Sequence, residues 1–543
     1  MQLTGADALA LGAVAAGVGC ITSYPGSPSA ATVRALFSLR RSLVNELPPP
    51  HIEWSVNERV ALEVGIGFSL AGRRTLVCTK SVGFNVMIDT LMTLNLTPLA
   101  AGMVILLGDD PGAYGSQNDQ DSRPLAELLE LPMLELREPV QAWQVLQEAF
   151  TAGERFGLPV VLRITRSFEG SSVAASAVPQ PARWEMQLQP APREPLRFFP
   201  FPGNAVAKHR QLHHRLEQAD EWADSHRLNR CTGAATAENA VGGSTDGVLA
   251  AGFCATKLRD VLGEVPALEV LQLATVYPIP RRVLAGFMAR HPRVLLLEEN
   301  EPFIELRAAA VAQQNRIEVE LYGKLTGHVA RGGELYRWQM CSALRSFAPS
   351  LTLLAEYDQA DEAGERPPRH GYCAECPLDQ IMDAVEAATS ASQLDPWLVA
   401  DPGCLAAQAE RLHAKYALGS ALAVSDGLAR AGAAALALFG DSSFFHSALP
   451  ALCNAVAMGS RFTALVIDNG GAVTTGGQPH PGIPRPVRPA LSIARIAEAC
   501  GVRRVQQVAV AALRDALLAA LAGDGVQLVV VEVPCTVAAS YSD

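Results

Sequence analysis

The chain is poor in positive charge: 44 Lys and Arg stand against 55 Asp and Glu in 543 residues, a formal net charge of −11. No basic excess is present to neutralise phosphates, which argues against a nucleic-acid binder. The opening MQLTGADALALGAVAAGVGC lacks a basic leading segment and carries Asp7, so it does not read as a secretory signal. The longest uncharged run, TLMTLNLTPLAAGMVILLG (90–108), is broken by Asn95, Pro98 and Gly102. It fits a buried helix, a turn and a buried strand better than a membrane span. Internal repeats and low-complexity tracts are missing. Eleven cysteines in a large chain without a secretory signal do not predict a disulfide framework. These absences lead us to expect a cytoplasmic protein that engages neither nucleic acid nor membrane. What remains is an ordinary globular composition, 49% hydrophobic and 18% charged, in a chain long enough for three or four domains.

Short continuous apolar runs recur: TLVCT (75–79), MVILL (103–107), PVVLRI (159–164), VLAAGF (248–253), RVLLLEE (293–299), ALALFG (435–440), TALVID (463–468) and QLVVVEV (527–533). Such runs suit strands buried on both faces, as in parallel sheets. Ala/Leu-rich stretches between them, for example 57–71 and 507–522, read as helices. The alternation predicts an α/β fold with three parallel-sheet domains. Two composition breaks set the boundaries: a Pro/Ala-rich, then polar, then Gly-rich stretch, and the charged YDQADEAGERPPRHGY (357–372). The blocks are 1–172, a linker over 173–239, 240–356, and 367–543.

Two of the predicted strands end on acidic turns. GDSSFFHSALPALCNAV begins at Gly440-Asp441, and IDNGGAVTTGGQPHPG contains Asp468-Asn469. In parallel sheets, ligands bind beyond the carboxyl ends of the strands. Twenty-seven residues separate Asp441 from Asn469, room for a helix and a return strand. A carboxylate and an amide oxygen brought together there are hard ligands suited to Mg²⁺ with phosphate. Gly470 and Gly471 would expose a main-chain carbonyl and admit a diphosphate. Taken singly, each of these is an ordinary turn residue. CAEC, with Cys373 and Cys376, is by itself a weak signal; Cys404 follows after 27 residues and Cys535 just after the last strand. Four thiolates suit an iron–sulfur cluster, structural zinc, or nothing beyond burial. The other seven cysteines (20, 78, 231, 254, 341, 453, 500) read as core or incidental.

The stretches at 440–482 resemble the thiamin diphosphate domain of the indolepyruvate:ferredoxin oxidoreductase alpha-subunit family, within the 2-oxoacid:ferredoxin oxidoreductases. The resemblance extends to SYPGSPSA (23–30), EWSVNERVALEVGIGFSLAG (53–72), LGDDPGAYGSQNDQDSR (107–123), FPGNAVAKHRQLHHRLEQADEWADSHRLNR (201–230), VYPIPRRVLAGF (276–287) and LLLEENEPFIE (295–305). It therefore covers nearly the whole chain. It implies a pyrimidine-binding domain, a transketolase C-terminal-like middle domain and a diphosphate-binding domain, in that order.

Site roles follow from the same resemblance. Gly440, Asp441, Ser442, Asn469, Gly471 and Thr474 would bind thiamin diphosphate. Asp441 and Asn469 would hold Mg²⁺ by side chains and Gly471 by its carbonyl. Glu58 would be the carboxylate against the cofactor's pyrimidine ring, with Glu53 its nearest competitor and a surface helix glutamate beside Arg59 the plainer reading. Ser27 matches a substrate-facing hydroxyl, and otherwise is a turn serine between Pro25 and Pro28. Cys373, Cys376, Cys404 and Cys535 match the ligands of a [4Fe–4S] cluster.

The implied activity is oxidative decarboxylation of an arylpyruvate such as indolepyruvate to an acyl-CoA and CO₂, with CoA as co-substrate. The implied assembly is a homodimer joined by a separate smaller subunit. The family's ferredoxin-like CxxCxxC runs are missing from these residues, so electrons are expected to leave through an external carrier. The competing readings are a non-oxidative thiamin-dependent decarboxylase or carboligase, and a non-enzymatic scaffold stapled by zinc. The middle block is a candidate to bind or orient CoA, with Lys324 as a conceivable phosphate contact but more simply a solvated lysine.

Overall fold

The computed structural model describes residues 2–43, 49–186, 193–233, 246–264, 266–365, 373, 376–485, 489–533 and 535. The chain divides into two compact units, Met1–Glu53 with Glu58–Arg369, and Trp54–Asn57 with His370–Asp543.

Among the described residues the first unit contains two large sheets and one antiparallel pair, Gln2–Thr4 with Ser172–Ala174. One has seven strands, ordered Thr275–Tyr277, Met133–Glu135, Val160–Thr165, Met103–Asp109, Thr75–Lys80, Cys20–Ser23, His51–Trp54. The pairings from Met133–Glu135 across to Cys20–Ser23 are parallel. Its central strands are buried along their whole length, which is why they read as unbroken apolar runs. The other sheet has five strands, ordered Glu320–Tyr322, Arg293–Leu297, Asp246–Ala251, Glu269–Leu273, Arg230–Thr232, with the last antiparallel.

Two features tie these sheets into one unit. Thr275–Tyr277, from the middle block, pairs antiparallel with Met133–Glu135 of the seven-stranded sheet. The stretch read as linker also contributes structure. It supplies the 21-residue helix Ala205–Ser225 and the edge strand Arg230–Thr232. The polar helix is legible in HRQLHHRLEQADEW; the edge strand is too short to announce itself.

The second unit is a six-stranded parallel sheet, ordered Ala414–Lys415, Trp397–Ala400, Ala435–Gly440, Phe462–Asp468, Val526–Glu532, Arg504–Ala509. From Trp397–Ala400 the chain moves to one edge, and from Ala435–Gly440 to the other. The carboxyl ends of these two neighbours form a topological switch point. One expectation is corrected here: 507–522 is not a single helix. Arg504–Ala509 is a half-exposed edge strand, and the helix starts only at Leu513. Val505 and Val508 fall on opposite faces and pack against different core clusters, and the strand forms because it pairs with Val526–Glu532, where pairing overrides propensity.

Lys324 is a second correction. It is buried, and its ammonium donates to the Ala330 carbonyl at 2.6 Å. Burial pushes its pKa down. No helix among the described residues is long and apolar enough to cross a membrane.

Candidate functional site

At the switch point of the second unit, Gly440 caps a continuous helical segment over 441–457. Its second turn, Phe444–Ala448, is π-helical, a distortion common at functional sites. Asp441 is the first residue of that segment and is 1% exposed. Its Oδ2 accepts the amides of Gly470 (2.8 Å) and Gly471 (3.1 Å), and Oδ1 accepts that of Ser442 (2.7 Å). Gly470 and Gly471 have φ of +79° and +155°, a backbone that side chains rarely adopt. The turn after Phe462–Asp468 is thereby folded back onto the Asp441 carboxylate. The expected meeting of Asp441 with the Asn469 loop is present.

Several polar atoms there point to a ligand. Asn469 Oδ1 and Ser442 Oγ are buried without a hydrogen-bond partner. Burial and the Asp441 carboxylate push Asp468 up to about 6. Two carboxylates and an orphaned amide oxygen form a hard oxygen set that a Mg²⁺ ion would satisfy. A Cβ on Gly440 would find only the Ile467 carbonyl, at 4.0 Å. The protein itself does not demand glycine there, whereas close approach of a diphosphate to the helix start would. The Gly471 carbonyl accepts the Val473 amide at 2.9 Å and keeps a second lone pair. Thr474 is exposed, while its neighbour Thr475 is tied to Gln478 at 2.7 Å.

The sequence reading gives His480 no role and Asp468 only the end of a strand, although GQPHPG is in view. His480 Nδ1 accepts the Gly482 amide at 3.0 Å, so the neutral ring carries its proton on Nε2. That nitrogen lies 2.9 Å from Asp441 Oδ2 but off the angle of a hydrogen bond. Phe445 stacks on the ring at 5.1 Å.

The four cysteines gather at the same end of this unit. Cys376 donates its amide to the Cys373 carbonyl at 3.1 Å. Cys376 and Cys404 both pack against the core formed by Leu405, Ile467 and Val531. Burial, then the thiols of Cys376, Cys535 and Cys373 and the carboxylate of Asp441, push the Cys404 thiol up to about 11. Four thiols brought to one place suit a cationic centre, which deprotonates its ligands. Among the other cysteines, Cys20, Cys78, Cys254 and Cys341 are buried, as expected, but Cys453 is exposed. Its Sγ lies 3.6 Å from that of Cys500.

Asp401, at the end of Trp397–Ala400, accepts the amides of Gly419 (2.7 Å) and Ala421 (2.8 Å) at the start of helix Ser420–Arg430. Burial pushes it up to about 6 against those donors. A folded pKa above the unfolded one means that the native carboxyl holds its proton more tightly, so stability falls as pH rises from about 4 through 6. Over that window the carboxylate costs about 3 kcal/mol. Asp401→Asn cannot ionise there. Its stability relative to wild type is expected to rise by about that amount between pH 4 and pH 7 in denaturant titrations.

In the first unit, Ser27 and Glu58 both lie at the carboxyl edge of the seven-stranded sheet. Ser27 is exposed on the loop after Cys20–Ser23. Glu58 opens helix Glu58–Leu70 and is buried. Its carboxylate lies against the first turn of helix Ser81–Leu94, where a Cβ on Gly83 would sit 2.5 Å from Glu58 Oε1. The plainer reading of Glu58 as a surface residue is therefore overturned. Glu53 Oε2 is held by His51 Nε2 at 2.7 Å.

A parallel sheet whose switch point carries this oxygen set is suited to a metal-bound phosphate. A family model described as "Thiamine pyrophosphate enzyme, C-terminal TPP binding domain" matches residues 406–532. The chain is 33% identical to the indolepyruvate oxidoreductase subunit IorA of Methanothermobacter thermautotrophicus, over 98% of this chain and 86% of that one. It is 30% identical to the protein of the same name from Archaeoglobus fulgidus, with the same coverage. A solved 2-oxoglutarate:ferredoxin oxidoreductase from Magnetococcus marinus aligns with TM-score 0.45 and 14% identity over 60% of this chain and 62% of that one. The family model and the two relatives of 30% identity or more define a thiamin-dependent oxidoreductase subunit. The chain belongs to the indolepyruvate oxidoreductase subunit IorA family.

Proposed function

We propose that the chain is the cytoplasmic catalytic subunit of an arylpyruvate oxidoreductase, with indolepyruvate as substrate and CoA as acyl acceptor. Residues 1–172 would bind the pyrimidine end of thiamin diphosphate, and 367–543 its diphosphate. Bound thiamin diphosphate supplies the nucleophilic carbon and electron sink that decarboxylation requires. Asp441, Asn469 and the Gly471 carbonyl would hold Mg²⁺, with Gly440, Ser442 and Thr474 along the diphosphate. Glu58 would hold a proton at the pyrimidine nitrogen, and Ser27 would face the substrate.

The observation that carries this reading lies in the second unit. Cys404, in the electrostatic reach of three further thiols, also feels Asp441 of the proposed diphosphate site. A [4Fe–4S] cluster on Cys373, Cys376, Cys404 and Cys535 would therefore stand beside the cofactor and take electrons one at a time. A homodimer with a separate smaller subunit, and an external carrier, would complete the system.

Protein purified without air is expected to carry about four irons and four sulfides per chain. It should reduce an artificial one-electron acceptor when given indolepyruvate and CoA. Cys404→Ser is expected to lose most of the iron and the visible absorption while retaining thiamin diphosphate, measured on the same preparations. Iron-free wild type with thiamin diphosphate bound would overturn the oxidative reading in favour of a non-oxidative decarboxylase. Zinc in place of iron would make the four cysteines a structural staple.

A further inference from the structure

Far from the cysteines in sequence, His209 and His213 occupy successive turns of helix Ala205–Ser225, four residues apart and therefore on one face. Both reach the same carboxylate. His209 Nε2 lies 2.7 Å from Glu130 Oε2, and His213 Nε2 lies 3.1 Å from Glu130 Oε1. Glu130 follows helix Arg123–Leu128 with φ of +55°, a left-handed conformation uncommon for a residue with a side chain. Among the described residues, this trio is the group of three His, Cys, Asp or Glu ligand atoms that lie within 4.8 Å of one another.

We propose that Glu130, His209 and His213 form a binding site for a divalent transition ion, Zn²⁺ in particular, which fastens helix Ala205–Ser225 to the segment after Arg123–Leu128. Two imidazoles select zinc and its neighbours over Mg²⁺ or Ca²⁺, which prefer all-oxygen sets. Zinc bonds of about 2.1 Å in tetrahedral geometry require ligand atoms about 3.4 Å apart. The two N···O separations of 2.7 and 3.1 Å, with all ligand atoms within 4.8 Å of one another, bracket that spacing.

The surroundings favour a cation. Glu130 and His213 line a cavity of about 370 Å³ together with Glu127, Glu217, Asp220 and Tyr277. Four carboxylates, those of Glu127, Glu130, Glu217 and Asp220, thus face one cavity. Arg281 and Arg307 also line it, and Arg307 is already paired with Glu127. Three protein ligands leave at least one coordination position for water or for a small ligand. The site is independent of the thiamin and iron–sulfur readings, and all three ligands lie in the first unit.

The test is a calorimetric titration of the anaerobically purified full chain with zinc chloride, for wild type, His209→Ala/His213→Ala and Glu130→Gln. Wild type is expected to bind one more Zn²⁺ per chain than the double variant, whatever the cysteines take up. Glu130→Gln should weaken that one equivalent by about 100-fold or more. Zinc should raise the thermal midpoint of wild type and leave that of the double variant at its chelator-treated value. Matching midpoints of the two proteins in chelator would establish that the double variant is folded. Equal zinc stoichiometry in wild type and the double variant would overturn the proposal.

Discussion

Glu58→Gln is expected to lower turnover of indolepyruvate by about 10²- to 10⁴-fold, the range typical for removing a positioned proton donor or acceptor. The substitution keeps shape and hydrogen-bonding capacity but can no longer exchange a proton at a ring nitrogen. Thiamin diphosphate affinity should change far less, because on our reading its diphosphate is held by Asp441 and Asn469. The geometry narrows the choice of carboxylate. Glu58 is buried at the start of its helix, whereas Glu53 Oε2 is occupied by His51 at 2.7 Å. Initial rates with an artificial acceptor, set beside a cofactor titration, separate the two effects. A rate within a few-fold of wild type would remove Glu58 from the proposed mechanism.

Gly83 offers an independent route to the same conclusion. A Cβ there would come within 2.5 Å of Glu58 Oε1 and Thr79 Oγ1, closer than real Cβ contacts. Gly83→Ala should displace the carboxylate without changing its chemistry. A large loss of activity with near-normal cofactor affinity would then report position, where Glu58→Gln reports proton exchange.

The sequence is most legible where function or burial is local. Strands such as Met103–Asp109 and Phe462–Asp468 are covered on both faces, so their apolar runs are unbroken. Asp441 and Asn469 stand at strand ends, and their side-chain types declare the chemistry once the spacing is read. Asp468 and Asp401 look no different in sequence from any residue at a strand end. What sets them apart is the neighbour supplied by another strand or helix: Asp441 for the first, the Gly419 and Ala421 amides for the second. Arg504–Ala509 was hidden because a half-exposed edge strand beside an Ala/Leu-rich helix shares its composition. LGDDPGAYGSQNDQDSR is conspicuous, yet its longest-range role is not legible locally: Arg123 and Asp121 bind main-chain and side-chain groups of LLLEENEPFIE, far along the chain.

That pairing supports the largest stability effect we expect. Arg123→Met should destabilise the first unit by about 3–5 kcal/mol, as the removal of one partner from a buried ion pair does. Arg123 is fully buried. It donates to Asp121 (2.7 Å), Glu298 (2.7 Å) and the carbonyls of Glu299 (2.6 Å) and Glu301 (2.8 Å). Methionine fills much of the volume but leaves two buried carboxylates without their cation. Glu298 would keep the amides of Ile304 and Glu305, each at 2.9 Å, but not its charge partner. The nearby Lys257 cannot substitute, being held by Glu299 (3.0 Å) and Glu334 (2.8 Å).

The effect should carry a pH signature. Burial alone would raise Asp121, but Arg123 holds it down at about 2. A depressed folded pKa contributes stability that is present above the unfolded value near 3.8 and lost as pH falls through the folded one. The gap between wild type and Arg123→Met should therefore be widest near neutrality and narrow by about 2.5 kcal/mol between pH 4 and pH 2. Denaturant titrations across that range measure it, and a gap independent of pH would mean that lost packing, not lost charge, accounts for the destabilisation. Arg123→Lys adds a check on geometry: an ammonium restores charge but not the planar fork, so it should recover the pH signature while leaving part of the neutral-pH deficit.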